Sequence, residues 1–220
     1  MGNDEIPKAL FPIGGRPILW HIMNIYACCG FKDFILCLGY KGDRIKEYCC
    51  RIKGWKITFV DTGLETNTGG RIKKIQHLIK DDLFFATYGD GLSSVNLNNL
   101  LRFHMCHERV ATITVVRPHS RFGIVGVNFG TGLVTHFEEK PILDHWINGG
   151  FFVFNKDVFG YLKENDILEK HSFKRLLIDR QISAFKHRGF WKCMDTYKDN
   201  LEFNELWDKN KLLWLGEDGK

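Results

Sequence analysis

Short apolar runs alternate with amphipathic segments along most of the chain. Residues 34–38 and 83–87 are apolar runs bounded by glycine or charged residues, a pattern typical of buried strands in a parallel sheet. Residues 17–29 instead carry apolar side chains at helical spacing, with Pro17 at the first position and Gly30 after the end. Strands that alternate with helices at this pace predict βαβ units and a parallel sheet.

The same patterns predict the remaining elements. Helices are expected at residues 43–50, 97–106, 158–162, 173–179 and 200–207. Strands are expected at residues 56–60, 111–116, 132–141, 147–154, 182–186 and 190–194. No internal repeat, linker or low-complexity segment interrupts the series, so residues 1–220 are expected to form a single domain.

Composition indicates an ordinary soluble protein. The chain is 44% apolar and 26% charged, which is typical of globular domains. No apolar run approaches the length of a bilayer span, and residues 1–5 lack the apolar core of a signal peptide. The seven cysteines include two adjacent pairs and no CxxC spacing, so we expect reduced thiols in a cytoplasmic protein rather than a disulfide framework.

The net charge of +5 fits anionic substrates and also weak contact with nucleic acid, and charge alone does not separate the two. However, the chain has no run of basic residues interleaved with aromatic residues, which nucleic-acid-binding domains generally carry. We therefore do not expect nucleic acid to be a partner.

One carboxylate follows the apolar run at residues 83–87. Asp90 stands between Gly89 and Gly91, and ligands of open α/β sheets bind outside the carboxyl ends of the strands. Glycines on both sides let a ligand approach the backbone closely. A carboxylate placed in this way suits Mg²⁺ that is carried by a phosphate substrate, although an Asx turn at the end of the strand is an alternative.

A second polar segment, residues 66–71, leads into a predicted helix. Because the first turn of a helix carries unpaired N–H groups, this helix start is a candidate anion site. Arg71 either pairs with a phosphate or is simply solvated. A cluster of His104, Cys106 and His107 has too few ligands at suitable spacing to predict zinc.

Ten motifs occur in a fixed order along residues 7–214. They are Pro7-Lys8, Gly14-Gly15-Arg16-Pro17, Asp61-Thr62-Gly63, Thr68-Gly69-Gly70-Arg71, Tyr88-Gly89-Asp90-Gly91, Arg121-Phe122-Gly123, Glu139-Lys140-Pro141, Asn148-Gly149-Gly150, Gly189-Phe190-Trp191 and Met194-Asp195-Thr196. The series resembles the sugar-1-phosphate nucleotidyltransferases, and among them the glucose-1-phosphate cytidylyltransferases.

The resemblance implies a fold and a reaction. The fold is a Rossmann-like three-layer α/β/α arrangement with a mixed, mostly parallel sheet and a small antiparallel elaboration. The reaction is nucleotidyl transfer from CTP to a hexose 1-phosphate, expected to be glucose 1-phosphate, which gives CDP-glucose and pyrophosphate with Mg²⁺ as the cofactor. A homo-oligomer is also expected.

The resemblance also assigns roles to residues by position. Asp90 and Asp195 are expected to bind the metal ion. Lys8 and Lys140 are expected to contact phosphate, and the nucleotide is expected to contact Arg71, Thr68, Gly69 and Gly70. The sugar is expected to contact Glu139, Asn148 and Gly149. Tyr88 and Gly89 are expected to contact substrate.

The chain departs from the family pattern before Pro7. Family members carry a strand and a glycine-rich phosphate-binding loop there, whereas this sequence has only residues 1–6. We therefore expect a gap beside the strands at residues 34–38 and 84–87, and weakened catalysis. A shorter segment between Cys50 and Trp55 makes the choice of base less certain. The alternative is a non-catalytic homologue that binds nucleotide-sugars or regulates a complete enzyme.

Overall fold

Short strands and helices alternate along residues 6–215, which the computed structural model describes. The strands are β1 (Pro12–Ile13), β2 (Arg16–Pro17), β3 (Asp33–Leu38), β4 (Lys56–Asp61), β5 (Leu83–Thr87), β6 (Gly91–Ser93), β7 (Ala111–Val116), β8 (Ile124–Val127), β9 (Val134–Glu138), β10 (Ile147–Asn155), β11 (Ile182–Lys186) and β12 (Trp191–Cys193). The α-helices are α1 (Ile18–Cys28), α2 (Gly42–Cys49), α3 (Thr68–Lys74), α4 (Leu97–His107), α5 (Phe173–Ile178) and α6 (Tyr197–Asp208).

Most of these elements agree with the sequence patterns. Asn96 caps α4, since its side chain accepts a hydrogen bond from the N–H of Asn99 at 2.8 Å. Thr196 and Asp199 cap α6 reciprocally in a capping box. Among residues 6–215, no helix has the length and apolar character needed to cross a bilayer.

The largest sheet has the strand order β11-β7-β10-β5. Strand β10 runs antiparallel to both β5 and β7, while β11 runs parallel to β7. Strands β3 and β4 form a separate parallel pair. Three antiparallel pairs complete the described sheets, namely β1-β2, β6-β12 and β8-β9.

The expectation of one mostly parallel sheet is therefore wrong in part. The protein has a mixed α/β fold with several small sheets, and β10 makes the largest sheet mainly antiparallel. The direction of β10 could not be predicted from the sequence, because a fully buried strand is apolar on both faces. Residues 149–154 of β10 are all buried, so their sequence pattern carries no sign of strand direction.

The gap expected beside β3 and β5 is present in the described part of the chain. The two strands belong to different sheets, and every residue of both lines one cavity of about 990 Å³. We call this cavity the strand slot. The apolar side chains of β3 and β5 are largely half-buried, whereas Phe151, Phe152 and Phe154 of β10 are at most 1% exposed.

Helix α1 supplies several residues of the largest buried core cluster. Its residues Ile18, Ile22 and Ile25 pack in a buried cluster with Phe151 and Val153 of β10. His21 on the same helix is 1% exposed, and its Nε2 lies 2.9 Å from the carbonyl oxygen of Ile13. His21 thus packs in the core, and burial lowers its pKa.

Candidate active site

Strand pairing brings two distant carboxylates together. Strands β6 and β12 pair so that Gly91 lies opposite Cys193, and the N–H of Met194 donates to the carbonyl oxygen of Asp90 at 2.8 Å. Asp90 therefore precedes β6 at the point where Asp195 follows β12. This local pairing explains how residues far apart in sequence come to share one site.

Lys8 bridges the two carboxylates. Its Nζ lies 2.9 Å from Oδ2 of Asp90 and 3.0 Å from Oδ1 of Asp195. Desolvation alone would lower the pKa of Lys8, but the hydrogen bonds to Asp90 and Asp195 outweigh it, so the pKa is raised. The hydrogen bond from Lys8 in turn lowers the pKa of Asp195. Lys8 and Asp195 are therefore charged at neutral pH.

The donor set suits a hard cation. Ligand atoms of Asp90, Cys193 and Asp195 all lie within 4.8 Å of one another. Burial and the two neighbouring carboxylates raise the pKa of the Cys193 thiol to about 12, so it stays protonated and is a poor metal ligand. The two carboxylates remain, and oxygen ligands are those that Mg²⁺ prefers.

A cleft of about 420 Å³ opens beside the carboxylates. Its lining includes six residues that the resemblance assigned to substrate or metal, namely Tyr88, Gly89, Asp90, Asn148, Gly149 and Asp195. Trp191 forms part of the wall, and its Nε1–H donates to the carbonyl oxygen of Gly149 at 2.8 Å. The structure thus gathers both predicted metal ligands and four of the predicted substrate residues around one concave surface, which is the usual form of a ligand site.

Tyr88 is held by a side-chain network at the edge of this cleft. Its hydroxyl donates to Glu169, and Asn148 Nδ2 donates to the Tyr88 hydroxyl at 3.1 Å. Burial and the hydrogen bond to Glu169 both raise the pKa of Tyr88. The phenol therefore stays neutral and acts as a fixed hydrogen-bonding group.

Gly150 allows Tyr88 to pack against the backbone. Gly150 has a φ of +76°, and an added Cβ would lie 2.5 Å from Cδ2 of the Tyr88 ring. We expect Gly150→Ala to lower the free energy of unfolding by about 1–3 kcal/mol, because the side chain adds strain and displaces Tyr88. Urea denaturation measures this change.

Gly89→Ala is the matched control for that substitution. An added Cβ on Gly89 meets no atom within 4 Å, so we expect its free energy of unfolding to change by less than about 1 kcal/mol. Equal losses in the two variants would contradict the account of Gly150.

The expectation of an anion site at the start of α3 is wrong in part. The backbone N–H groups of Gly69 and Gly70 both donate to the carbonyl oxygen of Asp166, at 2.9 and 3.1 Å. The hydroxyl of Thr68 donates to Oε2 of Glu169 at 3.1 Å. Because a protein carbonyl already accepts these N–H groups, they are not free for a phosphate.

Arg71 lies in the strand slot rather than in the cleft beside Asp90. Its Nη1 donates to the carbonyl oxygen of Leu38 at 2.9 Å, and its Nη2 donates to that of Leu64 at 3.2 Å. The guanidinium thus binds backbone carbonyls at the end of β3 and after β4, so it is not simply solvated. The nucleotide contact of Arg71 stays a prediction.

Glu139 and Lys140 also lie outside the residues that line the cleft. They follow β9 in the exposed hairpin of β8 and β9, where Lys140 Nζ lies 3.7 Å from Oε1 of Glu139. Both side chains are more than half exposed. Their contacts with sugar and phosphate stay predictions.

The sequence analysis missed three residues of the site. Arg121 Nη2 donates to Oδ2 of Asp195 at 3.3 Å, Trp191 lines the cleft, and Glu169 holds Tyr88. Arg121 and Trp191 lie in motifs that carry the family resemblance, but the resemblance assigned no role to either residue. Glu169 carries no motif signal, because it lies in a short π-helical turn (Leu168–Ser172) that no periodic pattern marks.

Both histidines of the cluster His104, Cys106 and His107 contact the side chain of Thr112. His104 Nδ1 and His107 Nε2 lie 2.8 and 2.7 Å from the hydroxyl of Thr112. Among the described residues, the group of possible metal ligands at Asp90, Cys193 and Asp195 does not include these histidines. Burial lowers the pKa of His104 to about 4, so it packs as a neutral side chain.

Known proteins share both the sequence and the fold. The sequence pattern of the nucleotidyl transferase family matches residues 4–210. The chain is 40% identical over 236 residues to a probable glucose-1-phosphate cytidylyltransferase of Bacillus subtilis, covering 96% of this chain and 92% of that protein. It is also 40% identical over 235 residues to the glucose-1-phosphate cytidylyltransferase of Salmonella typhimurium, covering 94% and 90%.

A solved structure agrees at the level of the fold. The crystal structure of HddC from Yersinia pseudotuberculosis matches with a TM-score of 0.68 and 22% identity, covering 92% of this chain and 91% of that one. The chain belongs to the nucleotidyl transferase family. Within that family it is a glucose-1-phosphate cytidylyltransferase-like nucleotidyltransferase.

Proposed function

We propose that this protein transfers the cytidylyl group of CTP to glucose 1-phosphate, giving CDP-glucose and pyrophosphate. The observation that carries the proposal is the convergence of Asp90 and Asp195 on Lys8 beside the cleft. The names of the relatives at 40% identity support the choice of CTP and glucose 1-phosphate.

The reaction needs alignment and charge neutralisation more than proton transfer. An oxygen of the sugar phosphate attacks the α-phosphorus of CTP, the new P–O bond forms, and the bond to the β-phosphate oxygen breaks to release pyrophosphate. The attacking phosphate is already ionised, so no general base is required. The protein has to hold two mutually repelling anions in line and stabilise the charge on the transferring group.

The charges of the site fit this task when a divalent cation is bound. Lys8 and Arg121 balance Asp90 and Asp195, so these four side chains together carry no net charge. Asp90 and Asp195 would hold Mg²⁺, which supplies positive charge to the phosphates when bound. Lys8 then remains beside the carboxylates as a donor to the α-phosphate.

The cleft provides a place for the sugar phosphate. Asn148 and Tyr88 present polar groups at its edge, and Trp191 fixes the carbonyl of Gly149. A hexose offers several hydroxyl groups, and buried polar groups that match them discriminate against sugars that lack them. We therefore assign Tyr88, Asn148 and Gly149 to the sugar side of the site.

Steady-state assays with purified protein, glucose 1-phosphate and Mg²⁺ test the proposal. We expect kcat/KM with CTP to exceed the values with ATP, GTP and UTP by at least about tenfold. Because β5 leads into Asp90 and pairs, among residues 6–215, only with β10, we expect a kcat below the about 10 s⁻¹ typical of enzymes.

Two other results would lead to different conclusions. CDP-glucose binding by calorimetry without turnover would assign a nucleotide-sugar-binding homologue instead of an enzyme. Equal use of all four nucleotides, or turnover with another sugar 1-phosphate only, would contradict the proposed substrates while leaving the family unchanged.

A further inference from the structure

Glu169 contacts the wall of the cleft from outside. Its side chain is not among the residues that line the cleft, yet its Oε1 accepts a hydrogen bond from the hydroxyl of Tyr88, which does line it. Its other oxygen, Oε2, accepts from the hydroxyl of Thr68 at 3.1 Å. Both oxygens of the carboxylate thus have protein donors, and Glu169 acts on the cleft through the side chain of Tyr88.

The π-helical turn that carries Glu169 is anchored to its surroundings. The N–H of Leu168 donates to the hydroxyl oxygen of Thr68 at 2.9 Å. Just before the turn, Asp166 is only 6% exposed and forms an ion pair with Arg175. These contacts fix the backbone next to Glu169, so the position of its carboxylate is set independently of Tyr88.

Donors and acceptors follow one direction from Gly150 to Glu169. The N–H of Gly150 donates to Oδ1 of Asn148 at 3.0 Å, and Nδ2 of Asn148 donates to the hydroxyl oxygen of Tyr88 at 3.1 Å. The hydroxyl of Tyr88 then donates to Glu169. Because an ionised carboxylate only accepts hydrogen bonds, the Tyr88 proton has to point to Glu169, and the Tyr88 oxygen is left to accept from Asn148.

This direction fixes which atoms Asn148 has left for a ligand. A side-chain amide offers two N–H groups and two carbonyl lone pairs, and the hydrogen bonds to Tyr88 and Gly150 use one of each. One N–H and one lone pair remain on a side chain that lines the cleft. A hydroxyl group both donates and accepts, so it is the kind of group that these two atoms fit.

We propose that Glu169 is a positioning residue for sugar recognition. It orients the hydroxyl of Tyr88 and thereby fixes the amide of Asn148, whose remaining N–H and carbonyl oxygen receive a hydroxyl group of the hexose. This role rests on the proposed function, because the hexose is the acceptor substrate of that reaction. Without the carboxylate, the Tyr88 proton is free to point to Asn148 or into the cleft, and the amide loses its fixed orientation.

Kinetics with monodeoxy analogues of glucose 1-phosphate separates positioning from stability. In the unmodified protein, we expect one analogue to lose at least about tenfold in kcat/KM, because the missing hydroxyl leaves polar groups of the site unpaired. In Glu169→Ala, we expect KM for glucose 1-phosphate to rise about tenfold and the discrimination against that analogue to fall below about threefold, with KM for CTP unchanged. A loss of folded protein alone would lower all rates equally and leave the discrimination intact.

Tyr88→Phe tests the same step by a second route, also in the event that Glu169→Ala does not fold. It removes the hydroxyl and keeps the ring, so we expect the same loss of discrimination. In the double variant the two losses should not add, since both substitutions break one series of hydrogen bonds. Glu164→Ala is the matched control, because Glu164 is an exposed residue shortly before the same turn, and its kinetics should equal those of the unmodified protein.

Unchanged discrimination in folded Glu169→Ala or Tyr88→Phe, or additive losses in the double variant, would overturn the proposal. No turnover with any hexose 1-phosphate in the unmodified protein would overturn the proposed function instead. The positioning role is then decided by NMR of the Asn148 side-chain amide, which requires no substrate. We expect exchange of its hydrogens with solvent to quicken by at least about tenfold in Glu169→Ala, and unchanged exchange would overturn the role of Glu169.

Discussion

Asp195→Asn is expected to lower kcat/KM for CDP-glucose formation by at least about a thousandfold. The carboxylate of Asp195 lies beside Asp90 and completes the pair that would hold the cation. A bound metal contributes several kcal/mol of charge stabilisation to a transferring phosphoryl group, and each 1.36 kcal/mol is a factor of ten in rate. A radiolabelled CTP assay with Mg²⁺ measures the loss, and calorimetric Mn²⁺ binding measures the cation affinity separately.

Asp208→Asn is the matched control, because Asp208 is the last residue of α6 and is not one of the described residues grouped as possible ligands of an ion. We expect its kinetics and cation affinity to equal those of the unmodified protein. Normal turnover and normal Mn²⁺ affinity in Asp195→Asn would show that this carboxylate does not bind the metal.

Lys8→Met is expected to lower kcat/KM by about a hundredfold, the loss that follows when one donor to the charge of a transition state is removed. It should also raise the pKa of Asp195, since the hydrogen bond from Lys8 is the largest cause of its lowered value. Steady-state kinetics measures the first effect, and an NMR titration of the carboxyl carbon measures the second.

The pH dependence of stability follows from the same pair. A carboxyl with a lowered pKa stabilises the folded state above its unfolded pKa, near 3.8, and this contribution is lost as the pH falls through the folded pKa. In Lys8→Met the contribution of Asp195 should be smaller at neutral pH. Lys198→Met, on the exposed face of α6, is the control and should leave both measurements unchanged. An unaltered Asp195 pKa in Lys8→Met would contradict the bridge.

Helices and strands could be predicted from the sequence where the chain shows both a hydrophobic period and residues that mark the ends of the element. Residues 111–116 form β7 with the predicted ends, and α4 begins at the predicted residue Leu97. The direction of β10 could not be predicted, because a strand that is apolar on both faces shows no period. The split between β3 and β5 was expected from the family pattern, not from the residues of either strand.

Site residues that directly follow a strand could be predicted from the sequence. Contacts between segments far apart in the chain could not. Asp90 follows a strand and was recognisable as a candidate from its position alone. The sequence could not show that Asp166 accepts the N–H groups of Gly69 and Gly70, since that contact joins segments far apart in the chain. The same holds for Arg71, whose guanidinium binds the carbonyls of Leu38 and Leu64.

The most direct test of the account is the position of the metal ion. Crystals grown with Mn²⁺ and a non-hydrolysable CTP analogue would locate the ion by its anomalous signal. The account predicts one peak between the carboxylates of Asp90 and Asp195, about 2.0–2.4 Å from an oxygen of each, with a nucleotide phosphate as a further ligand. A nucleotide bound with its metal elsewhere, and no ion between these two carboxylates, would contradict it.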